Sequence, residues 1–321
     1  KRIMRVLHPR RGCKNPMGTI PTHYPKDEEG EKKMIESLDA TSAMVGNYLA
    51  DQYSESLEEE VRPDMCVLPR RHLEWLGEET IDAAFAALKA HRAPGWDLLT
   101  KEIIARVPAL KERLVRLLRY IWNSECYPEN FVKGLILMFY KGGGKDKDDP
   151  ASYRPVCLLS HVTKWFSTLL LRRMVIECAW FLPEVQAGFR EGRSTQDMIM
   201  IVTMWIESAI AQGRELLIYF SDFKQAFTSV SHKAIDTALA AAGASAKTRA
   251  LVRGMYDIVE AQVKLENGAG QESLSTPFSI RRGLIQGDSL SPLIWLVVLA
   301  WVLAKRDPAM RKQWRGAGGE G

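Results

Sequence analysis

The stretch Leu216-Leu217-Ile218-Tyr219-Phe220-Ser221-Asp222-Phe223-Lys224-Gln225-Ala226-Phe227 constrains this chain more than any other. Five apolar residues in a row, Ile218, Tyr219 and Phe220 among them, are too few for a typical helix and suit a strand covered on both faces. Such a strand carries Asp222 to the edge of a sheet, where its carboxylate can bind a metal ion. The same residue can instead cap a following helix, because a carboxylate oxygen accepts from the free amides of a first turn. Residues elsewhere in the chain decide between the two.

With 321 residues and 46% hydrophobic content, there is room for one large domain or two ordinary ones around a sizeable core. A net charge of +5 permits a polyanionic partner without demanding one. Residues 1–14 carry six basic residues and no acid, an arm suited either to nucleic-acid contact or to no fixed structure. The acidic runs Asp27-Glu28-Glu29 and Glu58-Glu59-Glu60 read as solvated surface. Five cysteines (Cys13, Cys66, Cys126, Cys157, Cys178) are odd in number and far apart, which argues against a zinc site or a disulfide framework. They point to a reducing, intracellular setting, nuclear or cytoplasmic. The longest apolar run, Leu293 to Ala304, has twelve residues; it is too short to span a bilayer and fits a buried helix, so no membrane partner is expected. A start at Lys1 and an end in Gly-Ala-Gly-Gly-Glu-Gly suggest a piece of a longer polypeptide, and the oligomeric state is not legible.

Residues 1–31 read as a basic arm or linker, and 32–77 as a helical extension with Met34, Ile35, Leu38, Met44, Val45 and Leu49 near helical spacing. From Glu78, the spacing of Ile81, Ala84, Phe85 and Leu88 predicts an amphipathic helix. It stops at His91-Arg92-Ala93-Pro94-Gly95-Trp96-Asp97, where Pro-Gly turns the chain and Asp97 can cap the next helix. Leu110 to Trp122 reads as a helix and Gly134 to Tyr140 as a strand. The loop Lys141-Gly142-Gly143-Gly144-Lys145-Asp146-Lys147-Asp148-Asp149 lacks the closing Gly-Lys-Ser/Thr of a P-loop, so it reads as a flexible basic hairpin tip. Between Lys133 and Arg193 ten basic residues face six acidic ones, a net of +4 suited to meeting phosphates. Helices are predicted over Asp197–Ala211, with Ser194-Thr195 as cap, and over Lys233–Ala242 and Ala246–Tyr256. A hairpin follows through Ala261–Leu265, Asn267-Gly268 and Ser273–Ile280. It leads to Arg281-Arg282-Gly283-Leu284-Ile285-Gln286-Gly287-Asp288-Ser289-Leu290-Ser291-Pro292. There Gly287 admits a close backbone approach and Ser291-Pro292 starts the apolar helix.

Taken together, these stretches resemble a reverse transcriptase, and most closely that of a non-LTR retrotransposon. The likeness covers roughly residues 78–304 and rests on five motifs in the family's order. They are Ala93-Pro94-Gly95-Trp96-Asp97; SYRPVCLLS with Lys164 and Arg172-Arg173; QAGFREGRSTQD; YFSDFKQAFTSVSH; and RRGLIQGDSLSP. The resemblance implies an α+β right-hand polymerase: fingers over 78–210, a partial palm with a small antiparallel sheet over 211–304, a polar tail over 305–321, and no thumb. Such an enzyme adds dNTPs to a DNA primer on an RNA template with two magnesium ions. By the same likeness Asp222 and the main-chain carbonyl of Phe223 are metal ligands, since magnesium takes hard oxygen donors. Lys141 and Arg154 would hold the triphosphate, Phe227 would lie under the sugar and exclude a 2′-hydroxyl by bulk, and Gln286 and Gly287 would lie against the templating pair. Arg190 and Arg193 would meet the template backbone.

Thr228 and Ser231 stand where the family's first carboxylate motif usually has acids, and Lys224-Gln225 departs from its usual order. The aromatic-x-Asp-Asp hairpin expected after the Gln-Gly motif is absent; the only adjacent Asp-Asp pair, Asp148-Asp149, lies far upstream. The expectation is that this chain alone does not polymerise. It is either a fragment of an active enzyme or a degenerate, domesticated module that binds RNA as a non-catalytic scaffold.

Overall fold

A computed structural model describes residues 37–54, 76–223, 225–266 and 271–306. Its helices are α1 (Leu38–Tyr53), α2 (Glu78–Ala87), α3 (Lys101–Arg106), α4 (Pro108–Ser124), α5 (His161–Cys178), α6 (Thr195–Ala211), α7 (His232–Ala241), α8 (Ala246–Asp257) and α9 (Ser291–Arg306). The strands are β1 (Lys133–Tyr140), β2 (Tyr153–Leu159), β3 (Glu260–Glu266), β4 (Glu272–Leu274) and β5 (Phe278–Ser279), paired in the order β2-β1-β3-β4 with β5 also on β3. This is the mixed α+β arrangement with a small sheet that the sequence implied. The basic arm, the acidic runs and the Asn267-Gly268 turn lie outside the described residues. No described helix is long and apolar enough to cross a membrane.

Two compact units share the chain. The first takes in residues up to Leu49, Ile136–Val156 and Gln262–Pro277; the second holds the rest. In the first, β3 and β4 pair antiparallel with Lys264 opposite Leu274. The Ser273 hydroxyl donates to Asp39 of α1 at 2.6 Å and meets the Ser42 hydroxyl at 2.8 Å, so the buried polar atoms of helix and hairpin satisfy one another. In the second unit the core is built on α5, a helix buried around most of its circumference. Trp165 and Phe166 are fully buried there, and the Trp165 indole donates to the Ile81 carbonyl at 2.9 Å. Phe85 packs on Trp165 at 4.7 Å between centroids, and Trp122, Tyr127 and Phe131 meet Phe166 edge-on. A bidentate ion pair, Arg249 to Asp236, joins α8 to α7 and holds the Asp236 carboxyl below its ordinary range.

Local signals placed most helix starts. Ser160, Ser194, Ser231 and Ser245 each accept from a first-turn amide, and Ser194 forms a full capping box with Asp197. Asp97, however, does not cap α3; Thr100 does. The Asp97 carboxylate accepts instead from the Leu99 amide at 3.2 Å and from the Ser160 hydroxyl at 2.5 Å.

The expected buried strand Leu216–Phe220 is a correction. The segment is not hydrogen-bonded into a sheet, and Leu217, Tyr219 and Phe220 are each at least 85% exposed. An apolar run states what a segment gains from burial; a strand also needs a neighbour for its amides and carbonyls, and none among the described residues offers one. Helix α6 shows the same split: its capping box sets the start, yet none of its side chains is buried.

A Cβ on Gly134 would lie 2.2 Å from the Cys157 sulfur. Gly134→Ala is therefore expected to cost about 1–3 kcal/mol by overpacking, and most of that loss should vanish in a Cys157→Ala background. Equal losses in both backgrounds, measured by denaturant unfolding, would remove this contact as the cause.

Candidate active site

Asp222 stands exposed, and the chain turns over residues 225–229. Gln225 takes a left-handed φ of 55°, and its carbonyl accepts from the Ser229 amide at 3.0 Å. This turn is laced to the loop that carries Gln286. The Leu284 amide donates to the Phe227 carbonyl at 2.7 Å, the Gly283 amide to the Val230 carbonyl at 2.7 Å, and the Arg282 guanidinium to the Ser229 carbonyl at 2.8 Å. Glycine is required at 283: its φ is 87°, and a Cβ there would sit 2.8 Å from the Thr228 Cα. Two motifs far apart in sequence thus form one backbone assembly.

Aromatic side chains complete it. The Phe227 ring is half-buried, stacked near Trp295 of α9 at 6.1 Å and met edge-on by Phe189 at 6.5 Å. Phe223 meets the same Trp295 at 5.5 Å. The sequence reading missed Trp295 because a tryptophan inside an apolar run reads only as core. It also missed Gly283, whose Arg-Arg-Gly setting was the available signal. Of the two non-acidic departures, Ser231 caps α7, and buried Thr228 donates to the Gln225 carbonyl at 3.2 Å.

The Gln286 carbonyl accepts from the Cys157 amide of β2 at 2.7 Å. Gly287, at φ 115°, brings its Cα so near β2 that a Cβ would lie 2.5 Å from the Cys157 carbonyl oxygen. What approaches this glycine closely is therefore main chain. The next residue, Asp288, is buried, and among the described residues neither carboxylate oxygen has a hydrogen-bond partner. Burial pushes its carboxyl up to about 6; the Ser167 hydroxyl, the Ser289 and Leu290 amides and the Lys164 charge hold it back from rising further. Burial likewise lowers Lys164, helped by repulsion from Arg92 and opposed by Cys157 and Asp288.

In the first unit, β1 and β2 flank the Gly-rich tip, where Gly142, Gly143 and Gly144 all take positive φ. Lys141 donates from Nζ to the Ala151 carbonyl at 2.5 Å. Its pKa falls through partial burial and then through repulsion from Lys145 and Arg154, with Asp149 opposing. Cations crowded together in this way raise the local positive potential. In the second unit Arg190 donates to the Pro183 carbonyl at 2.8 Å, and both Arg190 and Arg193 pair with Glu184. Each arginine thus has an internal partner.

Asp222 and the Phe223 carbonyl are the kind of oxygen donor that magnesium takes. Among the described residues, though, no three His, Cys, Asp or Glu side chains lie together so as to hold a metal ion. One carboxylate does not close a two-ion site, so these residues alone do not fit the pair of ions that the family resemblance implies.

A family profile described as "Reverse transcriptase (RNA-dependent DNA polymerase)" matches residues 145–313, more than half of the chain. The chain belongs to the reverse transcriptase family. It is 29% identical over 264 residues to the probable RNA-directed DNA polymerase from transposon BS of Drosophila melanogaster, covering 78% of this chain and 27% of that protein. It is 28% identical over 193 residues to the RNA-directed DNA polymerase from mobile element jockey of the same fly, 58% of this chain and 20% of that one. With the Pol polyprotein of retrotransposable element R2 of Popillia japonica it shares 27% over 224 residues, 70% of this chain and 30% of the relative. The resemblance to retrotransposon enzymes is borne out, and the chain spans between a fifth and a third of the relatives' length.

Asp288 makes stability pH-dependent. The folded state holds its proton to about pH 6, whereas the unfolded chain releases it near 3.8, so stability falls as pH rises through that window and the loss is complete above it. The size is on the order of 2–3 kcal/mol. Asp288→Asn should flatten thermal midpoints between pH 4 and 7 relative to the parent chain; an unchanged pH profile would remove Asp288 as the source.

Proposed function

We propose that this chain supplies the fingers, to about residue 210, and part of the palm, from residue 211, of an RNA-directed DNA polymerase that extends a DNA primer with dNTPs on an RNA template. The observation that carries the reading is the main-chain lacing of the Asp222 turn to the Gln286–Gly287 loop, at 2.7 Å for both Leu284 to Phe227 and Gly283 to Val230. It joins a carboxylate for metal, an aromatic for the sugar and a loop for the base pair within one unit. Phe227, held between Phe189 and Trp295, suits a ring that must stay in place under a ribose to reject a 2′-hydroxyl by bulk. Lys141 and Arg154, already crowded with like charge, suit a triphosphate. In the assembled site two magnesium ions would activate the primer oxygen and steady the leaving pyrophosphate. Asp222 and the Phe223 carbonyl would contribute part of their ligand set. Arg190 and Arg193 face a template backbone only by exchanging internal partners for phosphates.

With one carboxylate in place, the chain alone is expected to give no template-dependent product in a primer-extension assay with an RNA template, a DNA primer, dNTPs and magnesium; product would overturn that. In a polypeptide that carries this stretch together with an Asp-Asp hairpin, Asp222→Asn is expected to lower extension at least about a hundredfold, since a metal ligand is worth several kcal/mol in phosphoryl transfer. The alternative, a non-catalytic RNA-binding scaffold, draws on Ser231 serving as the α7 cap where an acid is usual. It predicts that Asp222→Asn changes nothing.

A further inference from the structure

Helix α2 ends in a loop, residues 88–100, that is anchored to the start of α5. Its Gly95 is buried against the start of α5, where a Cβ would lie 2.4 Å from the Ser160 nitrogen and 2.7 Å from the Leu159 carbonyl carbon. Asp97 fastens the same point by accepting from the Ser160 hydroxyl, and that hydroxyl in turn accepts from the Val162 amide at the α5 terminus. His161 Nδ1 meets the Leu99 carbonyl at 3.0 Å. These anchors hold Gly95, Asp97 and Leu99 inward.

The residues between them are turned out. Trp96 is 43% exposed, and Leu98 is 71% exposed in a left-handed conformation with φ 57°. A non-glycine residue at positive φ costs free energy and persists only where its surroundings enforce it. The consequence here is an indole and a leucine side chain presented to solvent on a firmly seated loop. The Lys133 ammonium lies 5.6 Å from the Trp96 ring centroid, exposed Arg92 is on the same loop, and Arg92 and Lys164 repel each other. The acids nearby are engaged: Asp97 by Ser160, Glu102 by the His91 amide at 2.7 Å.

We propose that Trp96, with Lys133 and Arg92, is a stacking site for a nucleobase of an unpaired polynucleotide strand, the ring taking the base and the cations its phosphates. The inference rests on the polymerase reading of the chain and adds to it a contact on the single-stranded side of the substrate. A π face with adjacent cations is chemistry that accepts any base, so the site sets affinity and path rather than sequence preference.

The test uses the whole chain and fluorescence anisotropy with three labelled probes: a single-stranded RNA, an equally long strand of abasic residues, and a blunt RNA duplex. Trp96→Ala is expected to weaken binding of the single strand about tenfold, the scale of one stacked base. Affinities for the abasic strand and the duplex should stay within about twofold. Trp96→Phe, which keeps a ring, should retain most of the affinity, and an unchanged thermal midpoint in both variants excludes unfolding as the cause. Equal losses on the intact and abasic strands, or no loss at all, would overturn the proposal while leaving the polymerase reading intact. Failure of the unsubstituted chain to bind any of the three probes would overturn that reading, and this one with it.

Discussion

The structure depends on how closely neighbouring main chain approaches the junction where β2 runs into α5. Three segments converge on Cys157–Ser160, and each does so through a glycine: Gly134 on β1, Gly95 in the loop after α2, and Gly287 in the loop before α9. At each position a single methyl group would fall within 2.5 Å of an atom of that junction. Gly134 makes room for the Cys157 sulfur, while Gly95 and Gly287 bring polar backbone together, and the Cys157 amide uses the proximity to donate to the Gln286 carbonyl at 2.7 Å. The result is a pivot of short, inflexible contacts, with α5 as the buried post behind it.

That pivot explains why the candidate site residues are placed from loops rather than from strand ends. The Gln286–Gly287 loop, seated on β2, carries Gly283 and Leu284, and these fasten the turn that follows Asp222. The loop after α2, seated through Gly95 and Asp97, turns Trp96 outward. Asp288 is buried as a by-product of the same seating, since its neighbour Gly287 is pressed against the Cys157 carbonyl. Burying a carboxyl without a hydrogen bond costs stability, and the protein meets that cost by retaining a proton at mildly acidic pH.

Much of the fold was legible because it follows from local rules. Serine at a first turn, apolar spacing along α2, α4 and α9, and alternation in the β3 hairpin each produced the expected element within a few residues. The hairpin loop between β1 and β2, and Gly287 as a place of close approach, were also read correctly. The candidate site was legible only in part. Asp222, Phe227 and Gln286 could be singled out by motif, but Trp295 could not, because its role consists in what it touches. The same holds for Arg190 and Arg193: their spacing advertises a phosphate contact, while the structure gives both a partner in Glu184.

The largest departure marks the boundary between the two kinds of information. By itself the sequence determined that Leu216–Phe220 is apolar and followed by a carboxylate, for those properties belong to the residues. Whether the segment is covered belongs to its neighbours, and among the described residues it has no strand partner, so Leu217, Tyr219 and Phe220 stand exposed. Family membership was likewise written in the order of five motifs. Only the tertiary structure decided that two of them share one backbone assembly, because hydrogen bonds between distant main-chain atoms leave no periodic trace in the residues that make them.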